Sequence, residues 1–156
     1  MIRKESDTEI SSAVYIFLED KKRIDKFGPE DGHPAMNGLN ILHFLQERLR
    51  NNEMEKFAEI VQGCQFIPYD ETQTDARTDR SGDILGLLWR KGSMKLYNSE
   101  DYADVVDYVY IIDLDNHYLR IINNYEYTIP FDEMETLSDD DYLERIAAYE
   151  GDEEES

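Results

Sequence analysis

The chain has 156 residues, 40% of them hydrophobic, which fits a single domain with enough chain to bury a core. Its 36 Asp and Glu against 16 Lys and Arg give a net charge of −20, and a protein this acidic repels nucleic acid and anionic membranes while attracting basic surfaces. One cysteine, Cys64, excludes an internal disulfide, and no apolar run approaches the roughly 18–20 residues of a membrane span.

Residues 1–12 are polar and predict a flexible start without the apolar stretch of a signal peptide, so a cytoplasmic location is expected. "AVYIFLEDKKRIDKF" predicts a β-hairpin that turns at "EDKK". Val14, Ile16 and Leu18 alternate with Tyr15 and Phe17, as in a strand covered on both faces. "GPEDGHPAMNG" is dense in breakers, and Gly32 is expected to supply a turn with positive φ. A helix is expected from Asn37 or Gly38, with Leu39, Ile41, Leu42, Leu45 and Leu49 on one face. A second helical piece runs from Glu53 to about Gln62, carrying Met54, Phe57, Ile60 and Val61, with Gly63 as its stop. "PYDETQTDARTDRSG" reads as a long polar loop, "GDILGLLWRKG" as a short helix capped by Ser81, and "SEDYADVV" as another helical turn.

"DYVYIIDLDNHYLRIINN" carries the clearest β signal, two runs flanking the turn pair Asp115-Asn116. "YEYTIPF" adds a strand ended by Pro130. From Ser138 to about Glu150 a final helix is expected, with Ser138 as N-cap and Asp139, Asp140 and Asp141 in the first turn. Asp141 and Arg145 are spaced to pair, and Leu143, Ile146 and Ala147 form a narrow apolar face. Residues 151–156 are expected to be a disordered acidic tail. The fold class is therefore α+β over residues 13–150: an N-terminal β-hairpin, central helices, an antiparallel C-terminal hairpin or sheet, and a terminal helix.

The charge is distributed unevenly. Residues 1–99 hold 17 acidic and 14 basic residues, while residues 100–156 hold 19 acidic and two basic. Like charges crowded onto folded elements cost stability, so a chain that concentrates them gains something from the field. Duplex DNA presents about one charge per 1.7 Å, and carboxylates on rigid elements approach that density. The expected partner is a basic protein surface, and the expected contacts are Asp101, Asp104, Asp107, Asp113, Asp115, Asp132, Glu133, Glu135, Asp139 and Asp140, with Tyr102 and Tyr118 among them. Direct nucleic-acid or membrane binding is not expected; the oligomeric state is left open, a homodimer included.

Signatures of chemistry are sparse. GxGxxG and GxxxxGK[ST] are absent, and His33, His43, His117 and Cys64 have no zinc-ligand spacing. "DLDN" begins like a calcium loop, but Tyr118 stands where Gly is needed and Asn124 where Glu is needed. No metal or cofactor is expected. The Asp31-Gly32-His33-Pro34 loop offers the best catalytic alternative, with His33 as base and Asp31 as its orienter.

The same loop carries a resemblance. In "DGHPAMNGLNILHFL", Asp31, Gly32, Pro34, Gly38, Phe44 and Leu45 resemble a strand, Asp-Gly-Tyr-Pro, helix motif of small uncharacterised phage and prophage proteins, with His33 in place of Tyr. "YVYIIDLDNHYLRI" is similar to their hairpin, whereas the Arg of their first strand is missing from "AVYIFL". The resemblance implies a viral or mobile-element origin and brings no activity with it. Together with the charge it leads to the expectation of a non-catalytic inhibitor that occupies the nucleic-acid-binding surface of a host defence protein, of anti-restriction or anti-CRISPR type. An accessory binding module without charge mimicry and a small enzyme at Asp31–Pro34 are the alternatives.

Overall fold

The structure is a computed structural model, and it describes residues 10–28, 31–67, 84–97 and 106–155. Its centre is a five-stranded mixed sheet in which an N-terminal hairpin joins a C-terminal meander. β1 (Ser12–Leu18) and β2 (Lys21–Gly28) form the N-terminal hairpin. β5 (Tyr108–Asp113), β6 (Tyr118–Ile122) and β7 (Glu126–Pro130) form an antiparallel C-terminal meander. β1 joins the two by pairing in parallel with β5, Val14 opposite Tyr110 and Ile16 opposite Ile112. Parallel neighbours need a long crossover, and the helical middle of the chain supplies it.

That crossover contains α1 (Leu39–Arg50), α2 (Met54–Gln62) and α3 (Ile84–Lys91), together with a short parallel pair, β3 (Gln65–Ile67) and β4 (Lys95–Tyr97). α4 (Phe131–Met134) and α5 (Asp139–Glu155) close the chain. The helices bury Ile41, Leu42 and Leu45, Phe57 and Val61, and Ile84, Leu85 and Leu88 against one face of the sheet. Val14, Ile16, Tyr110, Ile112, Leu119 and Ile129 meet them from that face. Tyr15 and Phe17 point the other way and are half-buried, with buried Ala13 and Asp25 on the same face, so the second face of β1 is only partly covered. The edge strand β2 carries Lys21, Lys22, Arg23 and Lys26, charges that discourage a further strand from pairing there.

Several local expectations change. Glu19 and Asp20 both have positive φ (57° and 63°), the conformation of a tight two-residue hairpin turn. At Asp31–Pro34 the positive φ falls on Asp31, not on Gly32. Gly32 is required by proximity instead, because a Cβ there would lie 2.7 Å from the Ser11 carbonyl oxygen. The helix begins earlier than the apolar pattern implied, with a π turn over Pro34–Gly38 that runs into α1. Proline suits that first position because it has no N–H to satisfy. The β5–β6 turn has four residues, Leu114 to His117, and places its positive φ on His117. α5 continues through Gly151 to Glu155, past the expected end near Glu150. Glutamates are good helix formers, and one glycine costs only about 1 kcal/mol.

Candidate functional site

The expected contact residues divide by what their side chains do. Asp101, Tyr102 and Asp104 lie outside the described residues. Asp107 and Asp115 clamp the two ends of the parallel β1–β5 pair. At one end Asp107 Oδ2 accepts the Ser11 backbone N–H at 3.0 Å, and the Asp107 N–H donates to Ser11 Oγ at 3.2 Å. At the other end the Asp115 carboxylate accepts the N–H groups of Glu19 and Asp20 at 2.8 and 2.9 Å. Asp113 organises its own turn, accepting from the N–H groups of Asp115 and Asn116 and from the Asn116 side-chain amide. Partial burial pushes its carboxyl up, but the bonds from Asn116, Tyr118 and Asp115 outweigh this and hold it below the usual aspartate range. These three acids thus have a reason to be acidic that is independent of any partner.

The remaining five, Asp132, Glu133, Glu135, Asp139 and Asp140, are exposed on consecutive elements, α4 and the first turn of α5. Asp141 and Glu144 extend the set and are exposed too. Local structure explains the arrangement. Ser138 caps α5, its hydroxyl accepting the Asp141 N–H at 3.1 Å, and carboxylates in that first turn complement the helix dipole. Tyr142 and Ile146 anchor α5 in the core, while Ala147 of the expected apolar face is exposed. Buried Gln46 of α1 fixes the junction by donating its side-chain amide to the carbonyls of Met134 and Leu137 at 2.9 and 2.7 Å. Two acids of the set have partners: Glu133 with Arg145 at 3.1 Å and Asp139 with His43 at 2.7 Å. Arg145 therefore reaches back to α4, not to Asp141 as the spacing implied, because Glu133 sits beside it across the α4–α5 corner.

A 17-residue helix is about 25 Å long. Over residues 139–148 α5 exposes four carboxylates, Asp139, Asp140, Asp141 and Glu144, against Arg145, and Asp132, Glu133 and Glu135 at the α4 corner bring the exposed set to seven. The expected contacts include Glu133 and Asp139, which are paired, and leave out Asp141 and Glu144, which are exposed. Their i, i+3 relation within a capped helix was the available signal.

Three of the tyrosines face inward. Tyr108, Tyr110 and Tyr142 are buried. The Tyr110 hydroxyl donates to the Gly32 carbonyl at 2.6 Å. A Cβ on Gly38 would lie 2.6 Å from the Tyr142 hydroxyl, and burial pushes that phenol far up. Tyr118 is half-buried beside Asp113 and under the Arg120 guanidinium, 4.8 Å from its ring centroid. It belongs to the hairpin turn and not to the α4–α5 surface.

The Asp31–Pro34 loop is occupied with folding. His33 Nδ1 accepts the Ala35 N–H at 3.1 Å, and the ring packs edge-on to Tyr108. The Asp31 carbonyl accepts the Asn37 N–H at 2.9 Å. His117 stacks on Phe131. Cys64 is buried, and desolvation pushes its thiol up, away from reactivity. Among the described residues no group of three or more His, Cys, Asp or Glu side chains is placed to hold a metal ion, and no helix is long and apolar enough to cross a membrane.

Compared with protein-family models, curated proteins and solved structures, the chain finds no match.

Proposed function

We propose that the protein is a non-catalytic inhibitor that occupies a basic, nucleic-acid-handling surface of another protein through α4 and α5. The observation that carries the reading is the run of seven exposed carboxylates, Asp132, Glu133, Glu135, Asp139, Asp140, Asp141 and Glu144, on a helix corner anchored by Tyr142 and Ile146 and oriented by Gln46. A flexible acidic tail would lose that spacing on every fluctuation; a docked helix keeps it. Evidence against a catalytic loop is local: the ring nitrogen of His33 that would serve as base already accepts a backbone hydrogen bond. The resemblance of Asp31–Leu45 to phage and prophage proteins supports a mobile-element setting, in which a host restriction or CRISPR component is the target.

The test is capture from bacterial lysate on the immobilised protein, followed by elution with duplex oligonucleotide and identification of what elutes. Nucleic-acid-binding proteins released by the duplex support the proposal. A captured set indifferent to the duplex, or retained equally by an Asp140→Asn, Asp141→Asn, Glu144→Gln variant, refutes it.

A further inference from the structure

A groove of about 970 Å³ opens where the α1–α2 turn, the β5–β6 turn and the start of α4 meet. Its floor is apolar: Leu114 and Phe131 are buried, while Leu49, Met54 and Ala58 are half-buried and face the opening. The rim is acidic, with Glu55 from α2 on one side and Asp132 and Glu135 from the α4 segment on the other. Among the described residues none of these three carboxylates makes an ion pair. The His117 ring stacks on Phe131 with centroids 5.9 Å apart and keeps that wall in place. The volume is at the upper end of the roughly 300–1,000 Å³ of ligand-sized sites.

An apolar floor alone would accept many occupants. The three carboxylates narrow the choice, because a neutral or acidic segment would leave them unpaired or repel them. We propose that the groove anchors a basic segment of the partner by inserting one bulky apolar side chain onto Met54, Ala58 and Phe131. Lys or Arg residues on either side of that side chain reach Glu55, Asp132 and Glu135. The inference rests on the reading that the partner surface is basic, and Asp132 and Glu135 belong to both sites. It adds a hydrophobic selection that charge density by itself cannot provide, since every cationic surface meets α5 alike.

The test uses the full, 15N-labelled chain and three peptides of equal length. One places Trp-Leu between two Lys/Arg triplets, one replaces Trp-Leu by Ser-Ser, and one keeps Trp-Leu between Glu triplets. The first is expected to bind at least about tenfold more tightly than the second, the gain from burying one large apolar side chain. It should shift the amides of Met54, Ala58 and Phe131, and the third peptide should not bind. A Glu55→Lys, Glu135→Lys variant changes only exposed side chains and is expected to abolish the preference. Equal binding of the two basic peptides, or shifts confined to α5, overturns the proposal. So does a shift of the groove amides with protein concentration alone, which would make a second copy the occupant. The two readings fail separately. Loss of the peptide preference with duplex-eluted capture intact removes the groove and leaves the acidic face. A groove that selects the first peptide, in a protein whose capture ignores duplex, leaves the groove and removes the mimic.

Discussion

The Asp115 carboxylate accepts the backbone N–H of Glu19 at 2.8 Å, joining residues 96 positions apart. The other oxygen takes the Asp20 N–H, so one side chain holds both left-handed residues of the β1–β2 turn. Non-glycine residues with positive φ are strained, and Asp115 offsets that strain. Asp115→Ala is therefore expected to cost about 1–3 kcal/mol. A urea titration should show a lower midpoint with an unchanged slope. Partner capture by the folded variant should be unaltered, which separates the structural acids from the exposed ones.

Asp113 gives a pH dependence of defined sign. Its folded carboxyl lies below the ordinary aspartate value, so the folded state binds its proton less readily than the unfolded chain does. The stability it contributes is present in full above about pH 4, the unfolded value, and is lost as pH falls through the lower folded value. The difference in stability between the native protein and Asp113→Asn should be constant at neutral pH and shrink below about pH 4. Taking the difference removes the opposite trend, the relief of self-repulsion as the other carboxylates protonate.

Gly38 and Tyr142 form a coupled pair. Gly38→Ala places a methyl 2.6 Å from the Tyr142 hydroxyl and 3.1 Å from that of Tyr110, so a fully buried ring must shift to admit it. A loss of about 1–3 kcal/mol is expected. Among the described residues the Tyr142 hydroxyl has no hydrogen-bond partner, so Tyr142→Phe should be neutral or stabilising. The double variant should recover part of the Gly38→Ala loss, giving a coupling of about 0.5–3 kcal/mol in a double-mutant cycle.

Gln46 ties the acidic face to the core. Gln46→Leu keeps the volume and leaves the carbonyls of Met134 and Leu137 without their side-chain donor. The expected cost is roughly 2–4 kcal/mol. Hydrogen exchange should show faster opening in α5 than in the β1–β5 pair, because the junction loosens before the sheet does.

The elements were legible wherever the pattern was local. Both hairpins, the helical faces of α1 and α2, the short helix α3, the strand ending at Pro130 and the Ser138 cap follow from spacing and turn chemistry. The parallel pairing of β1 with β5 was not legible, because nothing in "AVYIFL" names its neighbour 96 residues on. That pairing also hid the purpose of Asp107 and Asp115, whose acceptors are used across it. Composition could say that the last third is acidic. Only the fold could separate carboxylates used as clamps from those left on α4 and α5, or turn Tyr108, Tyr110 and Tyr142 inward. The acidic groove rim shows the same limit, since Glu55 and Glu135 are brought to one groove by the packing of α1 against α4 and of α2 against α1.

The central claim is that α4 and α5 stand in for nucleic acid. Its most direct measurement is the affinity for the captured partner as a function of salt, from about 50 to about 300 mM, for the native protein and for the Asp140→Asn, Asp141→Asn, Glu144→Gln variant. The predicted result is a steep fall in affinity for the native protein, a shallower slope for the variant, and displacement of both by duplex DNA. An affinity flat across that range, identical for the two proteins and untouched by duplex, would contradict it.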